Sequence, residues 1–485
     1  MEWHVKLGLW WHYGVAVISL LLAIIASGHV LVYKRDVRAA AGWVGLIWFA
    51  PLVGPLLYGL FGVNRIRRRA LSLRGQRERF RTELAAVGHE SQRDGARPSA
   101  EIKELSSVAG VINHTLSRPL VKGNRVTPLQ DGDEAYPAML LAIGQAKHSI
   151  TLATYIFDRD EVGVAFVEAL SAAVRRGIEV RVLIDATGCR YSFPSILGLL
   201  RREGIRHARF LPSFLGWGFF SINLRNHRKL LVVDGSVGFT GGMNIRLGHW
   251  LSKKPRHPVT DLHFHVEGPV VVQMQEVFAE DWYFTTGETL LGDPWFAALK
   301  ADGPVVARGL ADGPDEDMDP LRWAILAAVS AAKSSVCVAT PYFLPDAPII
   351  SALNLAAMRG VVVDIVLPEQ NNLPFVHWAS RALWWQVLER GCRIWLTPGA
   401  FDHSKILVVD GQWTLLGSAN WDPRSLRLNF EFNLECYDEG LAGQLQQWFF
   451  RKRGESRQVT LKEVDSRSLP TKLRDGAARL FSPYL

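Results

Sequence analysis

The sequence predicts an α/β protein of two similar lobes, each a mixed sheet flanked by helices, preceded by an N-terminal membrane-embedded helical segment. Three observations lead there. Two long uncharged apolar stretches open the chain, β-rich apolar runs then alternate with helical stretches, and the part beyond residue 120 carries its main features twice.

The N-terminal stretch VAVISLLLAIIASGHVLVY (15–33) contains no Asp, Glu, Lys or Arg. As a helix it reaches about 28 Å, close to the hydrocarbon thickness of a bilayer. After the polar knot KRDVR (34–38), residues 39–63 are again uncharged but hold Pro51 and Pro55. Residues 1–65 therefore read as a membrane anchor: one span, then a segment that spans with a kink or re-enters. A cleavable signal peptide is the rival for the first segment, but its start is not basic and a second apolar stretch follows at once. Residues 66–120 read as a basic juxtamembrane region and polar linker. Eight arginines and one glutamate lie between Arg65 and Arg81. Beside an apolar segment such a run suits anionic headgroups on the cytoplasmic side, although a solvated charged helix is the plainer alternative.

The rest divides into 121–300 and 301–485. AKHSITLATYIFDRD (146–160) matches AKSSVCVATPYFLPD (332–346); RRGIEVRVLID (175–185) matches MRGVVVDIVLP (358–368); REGIRHARFLP (202–212) matches ERGCRIWLTP (389–398). Each half reads helix, apolar strand, helix, strand, helix, strand, which indicates a buried and largely parallel sheet. Two such halves suit a pseudo-two-fold arrangement. Four cysteines lie far apart without a CxxC pair, which argues against a zinc site or disulfide framework and fits a reducing compartment.

Each half ends in the same pattern, HRKLLVVDGSVGFTGGMN (227–244) and HSKILVVDGQWTLLGSAN (403–420). In a strand, side chains alternate faces, so His227 and Lys229 share one side, as do His403 and Lys405. Asp234-Gly235 and Asp410-Gly411 signal a tight turn, and the returning strands bring Gly242 and Asn244, or Ser418 and Asn420, back beside the His-Lys pair. Two imidazoles, two ammonium groups and two amides on converging strands suit a phosphodiester. One imidazole attacks phosphorus, and the other protonates the leaving alkoxide and activates an incoming alcohol. Lysines supply the positive charge, so no cofactor and no metal is expected. Asp261 and Glu431, soon after each motif, are assigned to orient the far nitrogens of the histidines, against the plainer reading of surface or ion-paired acids. Asp234 and Asp410 sit with the catalytic group by motif, although turn geometry favours a structural role. His249, His257, His263 and His265 read as structural or exposed.

These stretches resemble the paired HxKxxxxD motifs of the phospholipase D superfamily. With the apolar segments in front, the chain is similar to bacterial cardiolipin synthases over nearly its whole length. The resemblance implies two phospholipase D-like lobes sharing one metal-free site. It further implies phosphatidyl transfer between two phosphatidylglycerol molecules, giving cardiolipin and glycerol through a phosphohistidine, with His227 as nucleophile and His403 as acid and base. It places the protein in the bacterial cytoplasmic (inner) membrane, lobes toward the cytoplasm, with lipids and not nucleic acid as partners. One departure is Gly242, which lacks the hydroxyl of Ser418. Another is Thr260 before Asp261, where an arginine is expected. A hydrolytic phospholipase D, a nuclease and an inactive lipid-binding scaffold are the alternatives. Finally, FLGWGFF (214–220) is expected to form an apolar lip at the mouth of the site, with LPFVHWASRALWWQVL (373–388) as its amphipathic counterpart.

Overall fold

The computed structural model describes residues 2–34, 36–62, 105–116, 118–211, 224–297, 299–313 and 319–482. The basic run at 65–81 and the expected lip at 214–220 lie outside the described residues. The chain forms two compact units, Met1–Arg69 and Ala70–Leu485.

In the first unit one helix, Glu2–Tyr33, is long and apolar enough over Trp10–Tyr33 to cross a membrane. A second helix, Val37–Phe49, is capped by the Asp36 carboxylate, which accepts from the Ala39 amide at 2.8 Å. Its 13 residues reach only about 20 Å. It stops at Pro51, and the chain continues as short turns, Val53–Leu57 and Tyr58–Gly62. The second apolar segment is thus a broken helix, as two prolines dictate. Ala23, Val30, Ile47 and Tyr58 are buried against one another, and Tyr58 Oη lies 2.8 Å from His29 Nδ1. Val17, Ile18, Leu21, Ile25 and Leu31 remain exposed. A helix apolar on its outer surface suits hydrocarbon rather than water.

The second unit holds two sheets of matching order. The seven-stranded one runs Arg125–Gln130, Leu262–Glu267, Val237–Gly241, Leu230–Val233, Ser149–Thr154, Glu179–Asp185, His207–Phe210. The nine-stranded one repeats that order as Gly303–Asp312, Glu431–Tyr437, Trp413–Gly417, Ile406–Val409, Ser335–Ala339, Val362–Pro368, Arg393–Thr397 and adds an edge strand at each side. Only the last three strands of each series are parallel. The His-Lys strand enters antiparallel to the first of these, and the strands beyond it follow antiparallel. Each sheet is therefore mixed, as the fold class predicts, and less parallel than the alternating helices alone indicate. A tight hairpin follows the His-Lys strand, and its three-residue loop cannot make a parallel crossover.

The facing sides of the sheets share one core. Ala153, Leu230 and Phe264 from one sheet meet Ala339, Ile406 and Phe432 from the other, with helices Val270–Thr286 and Glu439–Gly454 contributing Phe278, Trp282, Leu445 and Phe449. Residues 105–116 and 118–123, read as the end of a linker and the start of the first lobe, belong to the second sheet's packing. Leu105, Val108, Ile112 and Leu120 enter its outer core, and Val121–Gly123 is its edge strand. The composition of the stretch hid one apolar stripe eight residues long. The 373–388 stretch forms two short helices, Pro374–Arg381 and Trp384–Leu388.

Candidate active site

Immediately before each His-Lys strand the two lobes exchange backbone hydrogen bonds. The His227 amide donates to Phe430 O at 2.9 Å and the Phe430 amide to Arg225 O at 2.8 Å. Symmetrically, Phe401–Asp402 pairs with Val259–Thr260, and the His403 amide donates to Thr260 O at 2.8 Å. Each histidine is thereby held beside the carboxylate of the opposite lobe. His227 Nδ1 lies 3.0 Å from both oxygens of Glu431, and His403 Nδ1 lies 2.9 Å from Asp261 Oδ2. The pairing is crossed, which leaves Nε2 of each ring as the nitrogen not engaged by a carboxylate. Both imidazoles line one cleft of about 1220 Å³ that also contains Asn244 and Asn420.

The environments of the two pairs differ. Glu431 also accepts from Ser418 Oγ and from Asn429 Nδ2. Burial pushes its carboxyl up, but His227, Lys229 and Ser418 outweigh that and hold it below the usual range. An ionised Glu431 fixes the proton of His227 on Nδ1. Burial lowers His227, and Glu431 opposes this. Asp261 is buried and pushed up to about 6, against the pull of Lys405. His403 lies well below the ordinary histidine range, through burial first and then the charges of Lys405, Lys229 and His227. The ammonium of Lys229 donates to His227 O at 2.7 Å, and that of Lys405 donates to His403 O. Burial brings Lys229 down to about 7 and Lys405 to about 8, with the acids opposing.

Gly242 has a reason that the missing hydroxyl did not suggest. A Cβ there would meet Asp261 Oδ1 at 2.4 Å and Oδ2 at 2.6 Å. Asp is one methylene shorter than Glu, so its carboxylate sits where the side chain of Ser418 sits in the other lobe. Gly242→Ser is expected to push Asp261 off His403, lowering kcat by about 10²-fold and stability by about 1–3 kcal/mol, as steady-state kinetics on the folded fraction and thermal unfolding would show.

Asp234 and Asp410 require correction. They lie at the far ends of the four-residue strands, away from the histidines. Asp234 accepts from the backbone amides of Lys147, His148 and Ser149 at 2.7–3.1 Å, and Asp410 from those of Lys333, Ser334 and Ser335 at 2.8 Å each. Neither lines the cleft. Each occupies the left-handed region together with the following glycine, φ 52° and 59° at Asp234-Gly235 and 54° and 64° at Asp410-Gly411. That geometry closes the turn in which the Ser236 amide donates to Val233 O at 3.0 Å and the Gln412 amide to Val409 O at 3.1 Å, within a three-residue hairpin loop. The motif acids hold the hairpin to the start of the lobe's first strand. Asp410→Ala is expected to cost about 1–3 kcal/mol of stability while the folded fraction keeps its kcat, as denaturant unfolding set against active-site titration would reveal.

The cleft joins the two predicted asparagines to tyrosines and arginines that the sequence did not single out. Asn244 Oδ1 accepts from the Ile156 amide at 3.1 Å, and Asn420 Nδ2 donates to Ser425 Oγ at 3.2 Å, so both amides are tied into the walls. Tyr155 packs on His227 with ring centres 5.3 Å apart, and Tyr342 on His403 at 6.4 Å. Arg225, Arg246, Arg256 and Arg424 line the walls, as do His249 and His257. His249, read as structural, lies 6.3 Å from the His403 ring; burial brings it down to about 3, so it is neutral. His263 is buried outside the cleft. Arg228, between His227 and Lys229, points to the opposite face by strand alternation. There it donates to Asp281 at 2.6 Å and to the Glu431 carbonyl at 3.0 Å. Its alternating position was the available signal. Among the described residues no three His, Cys, Asp or Glu side chains converge as metal ligands do.

Comparison with known proteins bears on the family and the fold. The family described as cardiolipin synthase, PLD-like domain, matches residues 139–282 and 325–453, and the phospholipase D-nuclease N-terminal family matches 21–62. A cardiolipin synthase of Listeria monocytogenes serotype 4b is 30% identical over 98% of this chain and 99% of its own length. Cardiolipin synthase 2 of Staphylococcus epidermidis is 28% identical, covering 97% and 98%. Among solved structures, phosphatidylserine synthase of Haemophilus influenzae has the same fold, with a TM-score of 0.61 at 15% identity over 78% of this chain and all of that one. The chain belongs to the PLD-like cardiolipin synthase family.

Proposed function

We propose that this chain is a membrane-bound phosphatidyltransferase that joins two phosphatidylglycerol molecules into cardiolipin and releases glycerol. The crossed His227–Glu431 and His403–Asp261 pairs on one cleft carry the reading. An in-line exchange at phosphorus needs two imidazoles with separate tasks, and the full-length relatives named as cardiolipin synthases support the substrate. His227 Nε2 attacks phosphorus, the bond to the glycerol oxygen breaks, and His403 Nε2 gives that oxygen a proton. His403 then takes the proton of the second phosphatidylglycerol's terminal hydroxyl, whose oxygen attacks phosphorus as the P–N bond breaks. The ionised Glu431, with three donors on it, supports His227 as the nucleophile, since a charged partner makes an imidazole electron-rich. An anionic phosphodiester between the two lysines offsets the charge that keeps His403 neutral, the condition for it to carry the proton it donates.

The long apolar helix and the family match at 21–62 support attachment to a bilayer. The arginine run and four unpaired, buried cysteines support a catalytic unit on the cytoplasmic side of a bacterial inner membrane. The test is full-length protein reconstituted with phosphatidylglycerol labelled in its glycerol headgroup. Equal amounts of cardiolipin and free glycerol are expected, with and without chelator. Phosphatidic acid alone would make the enzyme a hydrolase, and no product would reject the reading.

The buried lysines set a pH dependence. Both ammonium groups are lost as pH rises through about 7 to 8 in the empty cleft, weakening capture of the anionic lipid. kcat/KM is therefore expected to fall between about pH 7 and pH 9, while kcat, which reports the loaded enzyme, stays nearly level. Initial rates at low and saturating lipid separate the two.

A further inference from the structure

The helix Leu469–Arg479 near the C-terminus is built inside out. Leu469, Leu473 and Leu480 lie four and eleven residues apart along one stripe and are 68%, 64% and 76% exposed. The opposite side carries Ala478 and Asp475, each 1% exposed. Asp475 is the helix's only acid, and Arg467 and Arg474 each donate to it at 2.7 Å. The outward face thus offers leucines bordered by the exposed cations Lys472 and Arg479 and no negative charge. Water does not favour such a face.

The stripe leads to the active site. Just beyond the helix, the exposed Phe481 meets Phe375 with ring centres 5.6 Å apart. Phe375, Leu373 and Val376 line the cleft that holds both histidines. Phe375 also meets Trp378 at 6.4 Å, and Arg474 lies over the Trp378 ring at 4.5 Å. An apolar track therefore runs from the outer face of the helix to the cleft wall.

We propose that the outer face of Leu469–Arg479, with Phe481, seats on an anionic bilayer, its leucines at the acyl boundary and Lys472 and Arg479 among the headgroups, and that the Phe481–Phe375 track is where an acyl chain enters the cleft. Apolar residues bordered by cations are the composition of an interfacial helix. A second copy fits less well, because a self-paired face would set like charges against one another. The consequence for catalysis rests on the lipid reading above; the contact with the bilayer does not.

The test uses full-length protein carrying Leu473→Cys, labelled with an environment-sensitive fluorophore; the four native cysteines are buried. It is reconstituted in phosphatidylglycerol–phosphatidylcholine vesicles bearing acyl-chain nitroxides. A blue-shifted, strongly quenched emission is expected, weaker in phosphatidylcholine alone. An unquenched label on active protein would overturn the proposal, as would quenching replaced by a crosslink between two copies. In a second arm, Leu469→Ser/Leu473→Ser/Leu480→Ser is expected to lower turnover of bilayer phosphatidylglycerol about tenfold and to spare a soluble short-chain phosphatidylglycerol. Equal rates on bilayer lipid would reject the track. Failure to make cardiolipin at all would count against the enzymatic reading and leave the quenching result standing.

Discussion

Protein carrying His403→Gln, given phosphatidylglycerol, is expected to accumulate a covalent phosphatidyl adduct on His227 and to turn over about 10³–10⁵-fold more slowly than the parent. Losing the acid slows glycerol departure, but losing the base that activates the second lipid slows decay of the adduct further. The adduct therefore builds up. Phosphohistidine survives alkaline quenching and is lost in acid, so intact mass before and after acid treatment identifies it. His227→Gln should fall at least as far in rate and show no adduct. Labelling of the His227→Gln protein, with none of His403→Gln, would exchange the two roles. Glycerol in the quenched reaction should match the trapped enzyme mole for mole.

The second large effect concerns the carboxylates. Glu431→Gln preserves shape but removes the charge that fixes the proton of His227 on Nδ1. A fall in kcat of about 10²–10⁴-fold is expected, and the step lost should be adduct formation. Asp261→Asn should slow the second step instead, leaving adduct to accumulate as in His403→Gln. Single-turnover kinetics distinguishes the two, because the crossed pairing assigns each acid to the histidine of the other lobe. If Glu431→Gln behaved as a partner of His403, the bonds at Nδ1 would not be those used in catalysis.

Much of this was legible before any coordinates. The duplication, the His-Lys strands and the Asp-Gly hairpins follow from local pattern, and local pattern is what a strand of period two and a tight turn leave in a sequence. The pairing of acids with histidines was not legible. Glu431 lies 204 residues from His227 and Asp261 lies 142 from His403, and nothing in periodicity reports which lobe a side chain will meet. The arginines of the cleft were missed because basic residues scattered over loops carry no signature of what they face. Gly242 was seen as a lost donor, whereas its role depends on the length of the acid opposite. The last helix shows the reverse problem: its amphipathic pattern is plain, yet only packing reveals which side looks out.

The exchange of backbone hydrogen bonds at 225–227 and 401–403 has a consequence beyond positioning. Either half alone would own an imidazole without its carboxylate, so a half of this kind needs a second beside it to complete its site. Identical copies cannot specialise, since any change in one appears in the other. Two halves joined in one chain are free of that constraint. Asp with Gly on one side and Glu with Ser on the other are where the two halves differ, and they set two otherwise equivalent rings in different surroundings.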